Sequence, residues 1–328
     1  MRGKGISYDT GFINKYGDTT HEPWDPDVVA RDLRVIRDEL HCTAVRLTGG
    51  HPERLETAAR SAAELGLEVW FSPFTGELTP EELLAVLADC AERAEGVRRR
   101  GAEVVFVTGA ELSLFTTGFL PGADGHERTR WLLSAPRDEV GAALAAVPGR
   151  VNEFLARAVA VVRERFGGKV TYASIPFEGV DWTPFDFVAV DAYRSAEVAD
   201  RYRESIRSLV AAGKPLAVTE FGSATFRGAG DLGARGGLVV RWDGPTPVGL
   251  DGPYERDEDE QARYLDEVLS LFEEVGVDTA FVYTFANHFL PHRDDLDLDM
   301  ASYGVVKVCE DGTWRRKAAF EVVAAHYR

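Results

Sequence analysis

Short, nearly unbroken apolar runs alternate along the chain with longer segments whose apolar positions recur at helical spacing. KGISYD (4–9) predicts a strand, and DPDVVARDLRVIRDEL predicts a helix with Asp25 as N-cap and Pro26 at its first position. TAVRLT (43–48), a helix through PERLETAARSAAEL, and LEVWFSP (67–73) repeat the cycle. TPEELLAVLADCAERAEGVRRR then opens on a capping box of Thr79 and Glu82 around Pro80, and leads to AEVVFVTG (102–109). A long insertion, about 110–150, precedes a helix over VNEFLARAVAVVRERF and the strand KVTYASI (169–175). After a short link come FDFVAVDAY (185–193), a helix through RYRESIRSLVAA, and PLAVTEF (215–221). A second long loop, a helix capped by Asp257, the strand TAFVYTF and a last helix, RRKAAFEVVAAHY, complete the chain.

Strands with apolar interiors, each followed by a helix, are the pattern of a parallel sheet covered on both faces. Eight such units in 328 residues predict one (β/α)₈ TIM barrel domain spanning 1–328, in preference to an open doubly wound sheet. Its long loops leave the fourth and seventh strands at their C-terminal ends, the face on which barrels carry their sites.

Charge narrows the ligands. Fifty-four acidic against 37 basic residues, a formal net charge of −17, oppose nucleic acid and anionic membranes and leave small neutral or cationic molecules as partners. No apolar stretch is long enough for a signal sequence or a membrane span, so a cytoplasmic location is expected. Cys42, Cys90 and Cys309 form no C-x-x-C pair and are read as reduced packing residues; neither a cofactor nor a metal is expected. The oligomeric state is left open.

Residues at or just past the strand ends would ring one opening: Tyr8, Asp9, Arg46, Phe74, Glu111, Glu178, Asp191, Tyr193, Glu220, Thr284, Asn287 and His288. His51 begins the second helix, and Trp182 follows the fifth strand with a ring face suited to sugar C–H groups. Arg46, pointing into a barrel, requires a partner, because an unpaired buried guanidinium costs several kcal/mol. Glu111 and Glu220 each follow an apolar run, on strands that face each other across the mouth. Paired carboxylates cleave acetals: one protonates the leaving oxygen while the other meets the oxocarbenium-like carbon.

The strand-four Glu, the strand-six Tyr and the strand-seven TEFG resemble the large glycoside hydrolase clan of (β/α)₈ barrels (clan A), over the whole chain. The resemblance implies a retaining glycosidase acting on a small, β-linked glycoside or oligosaccharide. It makes Glu111 the acid/base and Glu220 the nucleophile, with Arg46 and Tyr193 orienting Glu220. Tyr8, Asp9, His51, Phe74, Glu178, Trp182, Asp191, Tyr283, Asn287 and His288 are the candidate substrate-binding set. Two positions depart from the clan: Ala110 stands where Asn usually binds the sugar 2-hydroxyl, and Tyr283 or Phe285 stands in for a strand-eight Trp. Two other readings stay open, a metal-dependent sugar isomerase-type barrel and a sugar-binding or specialised-metabolism barrel without hydrolase activity.

Two tempting motifs are set aside. DDLDLDM lacks the Gly and the terminal Glu of a calcium loop and is expected to be solvated. GAGDLG (228–233) formally fits G-x-G-x-x-G but opens no helix after a strand, and is expected to form a mobile lid.

Overall fold

In the computed structural model, which describes residues 1–328, eight parallel strands form a ring. They are β1 (Gly3–Asp9), β2 (Ala44–Gly49), β3 (Glu68–Pro73), β4 (Val104–Ala110), β5 (Lys169–Ala173), β6 (Val188–Asp191), β7 (Leu216–Phe221) and β8 (Thr279–Val282). Hydrogen bonding runs in the order β5-β4-β3-β2-β1-β8-β7-β6. A bridge between Ser174 and Val190 closes the ring, with Asp191 N–H donating to the Ser174 carbonyl at 2.8 Å. The protein is a (β/α)₈ barrel.

Seven helices pack outside it: α1 (Pro26–Asp38), α2 (Pro52–Glu64), α3 (Pro80–Arg98), α4 (Arg137–Arg163), α5 (Ala199–Val210), α6 (Glu258–Val275) and α7 (Ala318–Tyr327). Asp25 caps α1 by accepting from Asp27 N–H, and the Thr79–Glu82 capping box is formed in both directions. Val29, Leu33 and Ile36 are the buried stripe of α1, each contributing about 1.5–3 kcal/mol by leaving water. Between β5 and β6 a single 3₁₀ turn, Pro176–Glu178, replaces the helix.

Alternation along the strands divides the side chains. Val45, Leu47, Val69 and Phe71 face the helices, while Ala44, Trp70, Val105, Val107, Phe187, Ala189, Ala217 and Phe281 fill the barrel. Trp70 lies 5.0 Å from Phe187 and 4.9 Å from Phe281, so three aromatic rings plug the interior below the mouth.

The pairing register slips in two strands, between Val107 and Ala110 in β4 and around Thr219–Glu220 in β7. Extra residues of this kind re-aim the side chains that follow. On β7, strict alternation from inward Ala217 would turn Glu220 toward the helices. The slip instead puts Phe221 in the outer core and leaves Glu220 facing the interior.

Three expectations are corrected. α4 begins at Arg137 and carries Pro148 within it, because the Ala- and Leu-rich 142–147 segment propagates the helix and Pro148 packs its ring near Gly179. GAGDLG is tied down: Gly228 and Gly230 N–H groups donate to Glu260, and Tyr303 Oη donates to the Gly233 carbonyl. Beyond it a hairpin pairs Val240–Asp243 with Thr246–Leu250. DDLDLDM is solvated only in its first half, at Asp294 and Asp295, because Asp299 is fully buried against Lys317 (2.8 Å) and Arg256 (3.0 Å), and Arg256 also holds Asp297.

Candidate active site

Glu220 is fixed by two donors from different strands. Arg46, on β2, is completely buried and reaches Glu220 Oε1 with Nη1 at 2.7 Å; the same nitrogen donates to the Thr219 carbonyl, and Nε reaches Ser72 Oγ at 3.2 Å. Burial works against the Arg46 charge, yet Glu220 and Asp191 raise its pKa above the usual arginine value. Tyr193, just past β6, donates its hydroxyl to Glu220 Oε2 at 3.0 Å. The Tyr193 pKa is pushed up by burial and by the adjacent Glu220 charge, which keeps the phenol a donor. Each carboxylate oxygen of Glu220 thereby accepts a hydrogen bond.

Glu111 follows β4 in the left-handed region, at φ 44° and ψ 46°, a conformation costing a side-chain-bearing residue about 1–3 kcal/mol. Neighbouring hydrogen bonds hold that turn. Glu111 N–H donates to the Ala173 carbonyl, Leu112 N–H to Tyr172 Oη, and Ser113 N–H to Glu178 Oε1. Glu111, Asp191 and Glu220 each bring a carboxylate oxygen to within 4.8 Å of the other two. Burial, then the Asp191, Glu220 and Glu178 charges, hold the Glu111 carboxyl well above the usual carboxylate range. Burial and Glu220 do the same to Asp191.

The remaining candidates divide. Asp9 accepts from Gly11 N–H and from the Thr20 hydroxyl, and its charge, after burial and the Glu220 charge, raises the pKa of Tyr283. Tyr283 therefore shares the mouth with both acids. Phe74 packs edge-on against Phe12 and Phe115, at 5.0 and 4.9 Å, forming an aromatic wall. Asn287 Oδ1 and the Nε2 atoms of His51 and His288 are buried without protein partners. His288 stacks on His21 with ring centres 3.9 Å apart, and burial, then His21, pushes its pKa down to about 3. It is neutral near pH 7.

Three candidates do not serve the mouth. Tyr8 points outward and donates to Asp32 of α1 at 3.1 Å, since its neighbours Ser7 and Asp9 occupy the inward phase of β1. Glu178 is fully buried and accepts from Ser113 N–H and Oγ, Tyr172 Oη, Ser174 Oγ and Ile175 N–H. Its oxygens are committed to shaping the turn at Glu111. Trp182 has travelled back to the strand starts, where its carbonyl accepts from Lys214, the residue two before β7, at 2.7 Å.

Trp242 is not among the sequence candidates. Trp242, from the hairpin after β7, lies 5.6 Å from His126 of the β4 loop and 6.2 Å from Phe289 of the β8 loop, so three loops meet through one half-buried ring. A tryptophan in a long loop leaving a barrel strand was the available signal.

No protein-family model matches the chain, and no curated protein matches it by sequence. Solved structures do match in fold. A calcium-binding mutant of Bacteroides uniformis β-glucuronidase 2 superposes with a TM-score of 0.63 at 14% identity, over 100% of this chain and 34% of the glucuronidase. Thermotoga maritima Cel5A in complex with cellobiose gives 0.58 at 12%, over 98% and 97%. Saccharomyces cerevisiae Gas2p, in complex with laminaritetraose and laminaripentaose, gives 0.53 at 13%, over 100% and 63%. The chain thus spans about a third of the glucuronidase and nearly two thirds of Gas2p. At these identities the likeness establishes a common barrel fold. No helix is long and apolar enough to cross a membrane.

Proposed function

We propose that the protein is a retaining glycoside hydrolase acting on a small, β-linked glycoside. The observation that carries this reading is the approach of Glu111 and Glu220 to within 4.8 Å at the strand C-termini, with Glu220 alone of the two furnished with charge-stabilising donors. Retaining glycosidases hold their carboxyl groups about 5–5.5 Å apart, and inverting ones about 6.5–9.5 Å to admit a water. The barrel neighbours support a carbohydrate ligand, since Cel5A is seen with cellobiose and Gas2p with laminari-oligosaccharides.

In the first step a Glu220 oxygen bonds to the anomeric carbon as the glycosidic C–O bond breaks, and the Glu111 proton passes to the leaving oxygen. Arg46 and Tyr193 hold Glu220 aimed, one donor on each oxygen. In the second step Glu111, now a carboxylate, takes a proton from water as the water oxygen displaces Glu220. Ala110 supplies no donor for a 2-hydroxyl; Asn287 and Tyr283, on the β8 side, remain as hydrogen-bonding groups for the sugar. Phe74 and Trp242 offer apolar ring faces.

A panel of aryl β-glycosides identifies the sugar, and the matching 2-deoxy-2-fluoro glycosyl fluoride tests the chemistry. The expected result is a covalent mass gain on the peptide bearing Glu220. Turnover of a glycoside with inversion of configuration, read by NMR, would overturn the double displacement.

A further inference from the structure

Asp191 is a buried carboxylate without a hydrogen-bond donor. It is 3% exposed, and neither oxygen has a protein donor of acceptable geometry; the nearby Thr219 hydroxyl is likewise unpartnered. Glu220 meets the same environment with an arginine and a tyrosine hydroxyl, so the protein's charge-stabilising groups are spent on one of three clustered acids. Asp191 and Glu111 are left facing each other, and two carboxylates in such a position cannot both ionise without an intervening cation or proton.

We propose that Asp191 is a positioning residue that shares a single proton with Glu111, keeping the acid/base carboxyl protonated and aimed at the leaving oxygen; its catalytic meaning rests on the glycosidase reading above. The proton sits on Glu111 and is donated to the ionised Asp191. Of the charged groups facing the pair, Arg46 and Glu178 favour that placement, while Glu220 raises the pKa of both carboxyls. Glu220 and Glu178 oppose further negative charge, Arg46 lies closer to Glu220 and favours the charge on Asp191, and the hydroxyls of Tyr193 and Tyr172 are already donated to Glu220 and Glu178. During glycosylation the proton leaves Glu111 for the glycosidic oxygen as Glu220 becomes an uncharged ester. One negative charge disappears from the cluster as another appears, so Glu111 can stay ionised beside Asp191 until it deprotonates the water. The resting protonation returns with the second step.

Difference infrared spectroscopy tests the shared proton without any turnover. The wild-type protein near pH 7 is expected to show a carboxylic-acid carbonyl band that is lost in both Glu111→Gln and Asp191→Asn. A wild-type spectrum without a band sensitive to Glu111→Gln overturns the proposal, whatever the enzyme's substrate. Titration of the chelator-treated protein with manganese distinguishes a cation among the three acids: tight binding abolished by Asp191→Asn also overturns it. Once a substrate is known, Asp191→Asn is expected to move the alkaline limb of kcat/KM down by about one pH unit or more. A residue that merely supported the fold would lower kcat and leave that limb in place. Where Asp191→Asn fails to fold, Asp191→Glu keeps the charge, and the band is expected to persist; its loss in a folded Asp191→Glu protein counts against the pairing.

Discussion

Arg46 Nη1 donates to Glu220 Oε1 across 2.7 Å, with the arginine fully buried and the glutamate side chain 9% exposed. The two residues lie on β2 and β7, separated in the ring by β1 and β8, so the pair spans the barrel interior. Removing one member strands the other in a medium that solvates it poorly. Arg46→Met is expected to lower the unfolding free energy by about 3–5 kcal/mol, read from urea denaturation. Arg46→Lys should fall between the two, because the ammonium keeps the charge but cannot reach Glu220, Ser72 and the Thr219 carbonyl together.

Glu220→Gln preserves the shape of the side chain and leaves an amide oxygen for Arg46. Turnover is expected to fall by about 10³-fold or more, with a cooperative unfolding transition retained at a lowered melting temperature, because Arg46 keeps a hydrogen-bond acceptor but loses its counter-charge. Glycoside hydrolysis assays and a calorimetric scan check both halves, and near-wild-type turnover would remove Glu220 from the nucleophile's role.

Stability should decline with rising pH through Glu111. Its native pKa is raised by burial and by Asp191, Glu220 and Glu178, so above the ordinary carboxylate range the folded protein holds a proton that the unfolded chain releases. The contribution is therefore fully present below the unfolded pKa and is lost as pH climbs through the native value. Urea midpoints between about pH 5 and pH 8 should fall more steeply for wild type than for Glu111→Gln. Parallel slopes would show that Glu111 ionises as freely in the native state as in the unfolded chain.

Glu178 is expected to matter through backbone shape. Glu178→Ala leaves five donors, from β5 and from the loops after β4 and β5, without their acceptor, at a cost of about 3 kcal/mol. Because the left-handed turn at Glu111 is braced by Ser113 and Tyr172, kcat should drop more than KM rises. An unchanged kcat in a folded variant would show that the turn holds without Glu178.

Much of the barrel was legible because local chemistry and global fold agree. Asp25, Pro26 and the Thr79–Glu82 box mark helix starts by satisfying backbone N–H groups within a few residues, and the apolar strands announce burial on both faces. The helix through Pro148 was less legible, since the cost of one lost hydrogen bond is offset by packing against Gly179, which lies far along the chain. Asp299 is illegible for the same reason: an aspartate in an acidic run reads as solvated until Lys317 and Arg256 arrive from other elements.

The sequence by itself determined eight strands and the seven helices that pack outside them, the position of acids at the ends of the fourth and seventh strands, and a charge that turns polyanions away. Side-chain direction was decided by tertiary structure. Tyr8 and Glu220 each follow a strand of period two, yet the first faces a helix and the second faces the mouth, because β7 carries a register slip and β1 continues in phase. A slip depends on how a strand pairs with both neighbours, and those neighbours are β6 and β8, which reach β7 from either side in the closed ring. The meeting of Glu111 with Asp191 likewise required the β5–β6 closure and the left-handed turn at residue 111, neither of which has a period to read.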